Sequence, residues 1–299
     1  MKVRLKDLKT ETRNRASADF DRLSALEMAT VMSRQDALVP RAIRRVLPEI
    51  AKAIDIIAEQ FAKGGRLIYV GTGTSGRLGA LDASECPPTF GTDPAMVQYV
   101  IAGGERALAN ATEASEDSTE LGRSDMAAKK PGKQDAVVGI AASGRTPYTI
   151  AALKYARSKG AATIAVVCNE GSPLAKAAQL AIEIDVGPEV LTGSTRLKAG
   201  TAQKLVCNML TTCAMARLGY VYGNLMVHLH LKNQKLLERG ISIVESVANV
   251  DRARAIRTLK AAGMKVPVAL VMLKAGVGTE QAVRRLKKAN GNVRRAIEA

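Results

Sequence analysis

Residues 66–77 read Arg-Leu-Ile-Tyr-Val-Gly-Thr-Gly-Thr-Ser-Gly-Arg, an apolar run that opens into glycines and hydroxyl side chains. The apolar run predicts a β-strand, and residues 78–83 predict the helix that follows it. Glycines let a backbone approach a ligand closely, and the amides at a helix start attract anions. The loop is therefore a candidate phosphate site.

A second loop of similar chemistry follows the apolar run 135–140. Residues 141–147 read Ala-Ala-Ser-Gly-Arg-Thr-Pro, in which Ser143 and Thr146 offer hydroxyl groups. Thr146 followed by Pro147 is typical of a helix start. Two such loops at strand ends of one sheet can converge on a single phosphate, which suits a sugar phosphate better than a dinucleotide. Each loop taken alone is also compatible with an ordinary strand-to-helix turn.

A dinucleotide site is the alternative for the first loop. Gly71, Gly73 and Gly76 match the spacing of the nicotinamide-binding fingerprint, and Glu105 is placed where an acidic residue would hold the ribose. The match is weak by itself, and the second loop favours the sugar phosphate.

Two groups of acidic residues are candidates for proton transfer. Glu85 follows the first loop after one short predicted helix, and residues 113–118 read Glu-Ala-Ser-Glu-Asp-Ser. Acidic residues with serine often simply begin a helix. Two carboxylates from separate loops beside a phosphate site would, however, be suited to general acid–base catalysis.

A third polar loop, residues 191–197, leads into a predicted helix over 198–218. Arg196 and Lys198 are candidates to neutralise a substrate anion, and Ser194 is equally a candidate for a plain helix cap. The sequence leaves both interpretations open.

Composition limits the class of protein. The 299 residues are 47 % hydrophobic and 3 % aromatic, with a net charge of +16, so a large aliphatic core is expected. Low aromatic content argues against stacking on single-stranded nucleic acid, and nucleic acid is not an expected partner. Four cysteines and two histidines show no metal-site spacing, and the cysteines are typical of reduced thiols in the cytoplasm. No apolar run is long enough to predict a membrane span.

Apolar runs alternate with helical patterns, which predicts an α/β fold with a doubly wound parallel sheet of five strands. The strands are expected near 66–70, 97–102, 135–140, 162–167 and 181–185. The expected domains are an N-terminal segment with helices over 1–62, a sugar-phosphate-binding domain over 63–235, and a helical subdomain over 240–299. That last part should contain three helices, Asp251–Ala262, Val266–Ala275 and Thr279–Ala299.

Several long runs resemble N-acetylmuramic acid 6-phosphate etherases, a family with a sugar-isomerase (SIS) domain. The runs are residues 73–89, 101–105, 116–118, 139–148, 192–204 and 222–227, and residues 10–14 fit the start of the family. The resemblance spans nearly the whole chain and is loosest in the C-terminal tail. It implies an SIS sheet, a C-terminal part similar to a ubiquitin-associated fold, and a homodimer with sites at the subunit interface.

The resemblance also implies a reaction: splitting D-lactate from the C3 ether of N-acetylmuramic acid 6-phosphate, without a metal or organic cofactor. Glu85 would protonate the lactyl oxygen and later activate water, and Glu116 would be the base at C2. Glu113, close in sequence, is an alternative base.

The phosphate of this phosphorylated amino sugar would be held by residues of the two loops. Ser75, Ser143 and Thr146 would bind it, and Thr74 and Gly144 would shape the site.

Other classes make different predictions. A non-catalytic sugar-phosphate regulator of the SIS family would lack the carboxylates or carry a DNA-binding domain. An aldose–ketose isomerase would share the fold and substrate class without explaining Glu85 within the etherase-like run. A dehydrogenase would need to bind a nicotinamide cofactor.

Overall fold

The computed structural model describes residues 9–110, 115–231 and 233–299. Within these residues, five strands form one sheet in the order β2-β1-β3-β4-β5, with every pairing parallel. The strands are Leu67–Gly71 (β1), Val97–Ile101 (β2), Ala136–Ala141 (β3), Ala162–Val167 (β4) and Leu180–Glu183 (β5). Each strand overlaps the apolar run that predicted it, and the α/β fold with a five-stranded parallel sheet is confirmed.

Helices alternate with these strands along the chain. They are Ala25–Asp36 (α1), Val39–Arg44 (α2), Leu47–Ala62 (α3), Gly73–Phe90 (α4), Arg106–Ala109 (α5), Thr119–Ala128 (α6), Pro147–Ser158 (α7), Pro173–Ala177 (α8) and Lys198–Leu218 (α9). The predicted helix over 198–218 has the predicted bounds. The predicted short helix over 78–83 is wrong in length, because α4 begins at Gly73 and continues through Pro87 and Pro88 to Phe90.

Both faces of the sheet are buried, as a parallel sheet requires. Ile68, Val137 and Ala165 belong to one apolar cluster with Tyr148 and Leu153 of α7. On the first turns of α4, glycine allows close packing. A Cβ on Gly79 would lie 2.7 Å from Tyr69 Cβ, and a Cβ on Gly76 would lie 2.6 Å from Ile101 Cγ1. Helix α4 therefore packs tightly against β1 and β2.

The N-terminal segment is fixed to the sheet domain. Lys9 Nζ lies 2.5 Å from Asp185 Oδ2, and the Ser17 hydroxyl donates to the Val190 carbonyl at 2.7 Å. Asn14 Nδ2 donates to Gln35 Oε1 of α1 at 2.8 Å. The chain before α1 is thereby tied to the segments that follow β5.

The chain divides into two compact units. One contains residues 1–83 and 95–211, and the other contains residues 84–94 and 212–299. Helices α4 and α9 contribute residues to both units. By this division, the helical unit includes the last seven residues of α4, and the predicted boundary near 235–240 stays a prediction.

The helical unit also contains α10 (Gln234–Ala248), α11 (Arg252–Ala261), α12 (Val266–Ala275), α13 (Thr279–Lys288) and α14 (Val293–Glu298). Their apolar sides form one core that includes Val244, Leu259 and Leu270. The predicted helical subdomain is confirmed, but α10 lay outside the three expected helices. The single helix expected over Thr279–Ala299 is two helices, because Asn290 and Gly291 adopt positive φ angles of 51° and 82°.

Within the residues described, no helix has by itself both the length and the apolar character to cross a membrane. Helices α12 and α13 meet that test only as a pair, and the chain bends by 106° between them.

Candidate active site

The two predicted anion loops follow neighbouring strands. Strands β1 and β3 pair in parallel with Gly71 opposite Ile140, so both end at the same edge of the sheet. The first loop leads into α4 and the second into α7. The structure therefore brings the starts of two helices to one edge, as the two-loop interpretation requires.

The first loop is short, and α4 begins almost at the end of β1. Gly73 has a φ of +47°, a backbone conformation that residues other than glycine rarely adopt. The Gly76 amide donates to the Thr72 carbonyl at 3.0 Å, which starts the helical hydrogen bonds. Amides in the first turn of a helix precede these bonds and point outward from its start. Thr74 is half-buried and Ser75 is buried in this turn.

The second loop is shaped by Gly144, whose φ is +65°. A Cβ at this position would lie 2.2 Å from Ser172 Oγ, so only glycine fits. Ser143 Oγ accepts the Arg145 amide at 3.2 Å. Thr146 is the N-cap of α7, yet among the described residues its hydroxyl makes no capping hydrogen bond. The Thr146 hydroxyl is therefore not committed to the helix.

Glu116 lies beside the start of α4. A Cβ added to Gly73 would be 3.4 Å from Glu116 Oε1, and the Glu116 carbonyl accepts the Tyr148 amide of α7 at 3.1 Å. The helix-start interpretation of this acidic cluster holds for Ser118, whose hydroxyl accepts the Leu121 amide and caps α6. Glu116 precedes that cap, and its carboxylate instead faces the first anion loop. Glu113 lies outside the described residues.

Glu85 is on α4, ten residues after Ser75, and its side chain is exposed. It belongs to the stretch 84–94 that is grouped with the helical unit. The prediction that a separate short helix divides Glu85 from the anion loop is wrong, because α4 is continuous from Gly73 to Phe90. Pro87 and Pro88 lack amide donors, yet both lie inside α4.

Helix α9 begins differently from α4. Glu189 is 0 % exposed, and its carboxylate accepts the amides of Lys198 and Ala199 at 3.0 and 2.9 Å. Lys198 is 1 % exposed, and its Nζ donates to Gln35 Oε1 at 3.2 Å. Burial lowers the pKa of Lys198, against the raising effect of nearby Glu189. These contacts give Lys198 a structural role, because its side chain links the start of α9 to α1.

For the third loop, the structure shows which residue caps α9, and a role for Arg196 at a substrate anion stays a prediction. The first amides of α9 bond to Glu189, so Ser194 is not the cap that the sequence offered. Arg196 is exposed. Glu189 itself carried no signal in the sequence, because its role depends on a turn of the chain back to a helix nine residues later.

Helices α4 and α9 are joined by buried polar contacts. Asp82 accepts hydrogen bonds from the Tyr69 hydroxyl at 2.8 Å and the Thr211 hydroxyl at 3.2 Å. Burial raises the pKa of Asp82, and the two hydroxyls and Lys204 act in the opposite direction. Nearer the start of both helices, Ser75 Oγ donates to Gln203 Oε1 at 2.9 Å. Sequence reasoning missed Gln203, which was one polar residue among many in the run 192–204.

Two domain families match overlapping parts of the chain. Residues 49–157 match the glucokinase regulatory protein N-terminal SIS domain, and residues 118–213 match the SIS domain. The chain is 52 % identical to the N-acetylmuramic acid 6-phosphate etherase of Vibrio atlanticus, covering 98 % of this chain and 96 % of that protein. It is 50 % identical to the etherase of Photorhabdus laumondii, covering 100 % and 99 %. The chain belongs to the N-acetylmuramic acid 6-phosphate etherase family.

Membership of the etherase family confirms the predicted resemblance and the prediction of an enzyme. The match to a regulatory protein covers residues 49–157, whereas the etherases match from end to end. The etherase interpretation is therefore supported over that of a non-catalytic regulator.

A solved phosphoheptose isomerase from Francisella tularensis shares the fold of this etherase-family chain. The two structures superpose with a TM-score of 0.51 at 16 % identity, covering 65 % of this chain and 100 % of the isomerase. At this identity the likeness concerns the fold alone.

Proposed function

We propose that this protein cleaves the D-lactyl ether of N-acetylmuramic acid 6-phosphate, giving N-acetylglucosamine 6-phosphate and D-lactate, in the recycling of bacterial cell-wall sugar. The names of the full-length relatives support this choice of substrate and reaction. The observation that carries it in the structure is the Glu116 carboxylate beside Gly73, at the start of α4. A proton-transfer group thus lies next to a helix start suited to a phosphate.

The phosphate is bound by the two loops at the ends of β1 and β3. Ser75, Ser143 and Thr146 donate hydroxyl hydrogen bonds, and the first amides of α4 supply the positive end of the helix dipole. Thr74 and Gly144 shape the loops around the anion. Binding the phosphate far from the reacting bond fixes C2 and C3 of the sugar against the catalytic carboxylates.

The chemistry needs a base and an acid. In the open-chain sugar, C2–H is acidified by the neighbouring C1 aldehyde, and a base removes that proton. An acid protonates the departing lactyl oxygen, which breaks the C3–O bond and leaves an unsaturated aldehyde. Water then adds at C3 and a proton returns to C2, which gives the product. Each proton-transfer group contributes about 10²–10⁴-fold to the rate.

Glu116 is the base at C2, and Glu85 protonates the lactyl oxygen and then activates the water. Glu116 lies beside the start of α4, where the sugar would be held by its phosphate. Glu113 is the alternative base, and Arg196, which is exposed, is a candidate for a further contact to the substrate anion.

The protein acts as a homodimer in the cytoplasm, with each site formed by residues of both subunits. The cysteines are free thiols in the described structure, a state that the reducing cytoplasm maintains. Mixing the inactive variants Glu85→Gln and Glu116→Gln tests the shared site. If the two carboxylates of a site come from different subunits, mixed dimers regain one intact site, and about a quarter of wild-type activity returns. No recovery after subunit exchange contradicts the shared site.

The direct test of the function is to incubate purified protein with N-acetylmuramic acid 6-phosphate and to measure free D-lactate with a coupled dehydrogenase. Unphosphorylated N-acetylmuramic acid is the matched control. We expect lactate only from the phosphorylated sugar, and Glu85→Ala should abolish its release while leaving phosphate-dependent binding nearly intact. Equal release from both sugars, or none from either, would refute the proposal.

A further inference from the structure

Gln203 is a buried polar side chain to which the reaction so far gives no role. It lies on α9 and is 1 % exposed. Its Oε1 accepts the Ser75 hydroxyl at 2.9 Å, while its Nε2 has no hydrogen-bond partner anywhere in the described chain. A buried amide with an unused donor costs free energy, so its presence at this place needs an explanation.

Gln203 contacts the first turn of α4, which is proposed to bind phosphate. One helical turn earlier on α9, a Cβ on Gly200 would lie 3.4 Å from Thr74 Cγ2. Gly200 and Gln203 therefore present one face of α9 to the first turn of α4. The absence of a side chain at Gly200 permits this approach, and the Gln203 amide ends at the Ser75 hydroxyl.

A serine hydroxyl has one proton, and a phosphate oxygen is chiefly an acceptor. In the present arrangement the Ser75 proton is directed to Gln203. To bind phosphate through its proton, Ser75 has to turn that proton away from Gln203. The Ser75 oxygen can then only accept from Gln203, and the glutamine amide offers the required donor when it rotates by half a turn about its last bond.

We infer that Gln203 is a positioning residue that orients the Ser75 hydroxyl toward the phosphate of the substrate. With phosphate bound, Gln203 Nε2 donates to Ser75 Oγ, and Ser75 donates to the anion. The unused donor of the free protein thereby gains its acceptor. This inference rests on the phosphate site of the proposed function, but it does not depend on the chemistry at the lactyl ether.

The test compares the wild type with Gln203→Met, Ser75→Ala and the double variant, using calorimetric Kd values for inorganic phosphate and N-acetylglucosamine 6-phosphate. Methionine keeps the length of glutamine without a hydrogen-bonding amide. We expect Gln203→Met to raise both Kd values about fivefold to tenfold. Because Gln203 acts through Ser75, the double variant should be no weaker than Ser75→Ala alone. In turnover, Gln203→Met should raise KM and leave kcat nearly unchanged.

Gln203→Glu is a second test, because an ionised carboxylate can accept a hydrogen bond from the Ser75 hydroxyl but cannot donate one to it. It should weaken phosphate binding more than Gln203→Met does. Asn208→Asp is the matched control, since it adds the same charge to an exposed position of α9 and should leave Kd unchanged. Thermal melting checks the fold, and Gln203→Leu, which also lacks a hydrogen-bonding amide, replaces Gln203→Met if the latter does not fold.

An unchanged Kd in Gln203→Met overturns the inference, and so does a double variant whose losses add. The inference and the proposed function can fail separately. If the wild type binds phosphate, Gln203→Met weakens that binding and no lactate is released, the proposed function fails and the role of Gln203 stands. If lactate is released and Gln203→Met binds phosphate like the wild type, the opposite holds.

Discussion

Helices α4 and α9 lie side by side, and their first turns are in contact near Thr74 and Gly200. The start of α9 is closed by Glu189, a buried carboxylate that accepts its first amides. The start of α4 contains Gly73 and Ser75 instead and faces Glu116. The start of α9 thus bonds to a carboxylate of its own chain, whereas the start of α4 is the proposed phosphate site beside Glu116.

The largest expected effect comes from the carboxylate at the start of α4. Glu116→Gln keeps the shape of the side chain and removes the base, so kcat for lactate release should fall about 10²–10⁴-fold. Phosphate affinity should not fall, because glutamine removes a negative charge beside the proposed anion site. Glu120→Gln, on the exposed side of α6, is the control and should turn over normally. A near-normal kcat in Glu116→Gln would show that Glu116 is not the base at C2, and Glu113 would be the next residue to test.

At the closed start of α9, the expected effect is on stability. Glu189→Ala removes both charged hydrogen bonds to the amides and leaves Lys198 buried without that neighbour, so unfolding should become easier by about 2–4 kcal/mol. Urea denaturation measures the loss as a lower midpoint with an unchanged slope. Wild-type stability in this variant would show that α9 does not need its internal anion.

Serines in the loops before two different helices, α7 and α9, should behave differently. Ser143→Ala removes a proposed phosphate ligand, and KM should rise about tenfold with kcat maintained, as expected for one lost hydrogen bond to an anion. Ser194→Ala, in the loop before α9, should leave both constants unchanged. Equal effects of the two substitutions on KM would show that the loop before α7 contributes no more to phosphate binding than the loop before α9.

The smallest effect concerns a carboxylate at the opposite edge of the sheet, where Asp135 bonds to Arg66 at 2.8 Å. Burial alone would raise the pKa of Asp135, but hydrogen bonds from Arg66 and from the Gly132 amide outweigh it, and the pKa lies below its ordinary value.

Because this pKa is lowered on folding, the ionised carboxylate stabilises the protein above the unfolded pKa of about 3.9, and that contribution is lost as the pH falls through the lower folded value. Asp135→Asn should therefore be less stable than the wild type by about 1 kcal/mol at pH 7, with full activity. The gap should close in strong acid. Denaturant titrations at pH 7 and in strong acid measure the difference in stability between the two proteins. A difference that widens in acid contradicts a lowered pKa for Asp135.

Local patterns predicted much of this molecule. The strands, the places of the two glycine-containing loops after β1 and β3, and the bounds of α9 follow from apolar runs and from glycine and proline positions. The helix predicted over 78–83 ended too early, because α4 continues through Pro87 and Pro88 to Phe90. The capping rule explained Ser118 correctly but could not show that Glu116 faces Gly73.

Contacts between distant parts of the chain were beyond such patterns. Ser75 and Gln203 are 128 residues apart, and Asp82 and Thr211 are 129 apart. No spacing rule links residues across that distance, so the role of Gln203 emerges only from the packing of α9 on α4. Glu189 is near Lys198 in sequence, but only the folded turn shows that its carboxylate closes the helix.

The central claim is that the start of α4 binds the phosphate of the substrate beside Glu116. A crystal structure with N-acetylglucosamine 6-phosphate tests it most directly. We predict phosphate oxygens within about 3 Å of Ser75 Oγ and of the hydroxyls of Ser143 and Thr146, with C2 of the sugar facing the Glu116 carboxylate. A phosphate bound elsewhere, with the start of α4 free of ligand, would contradict the account.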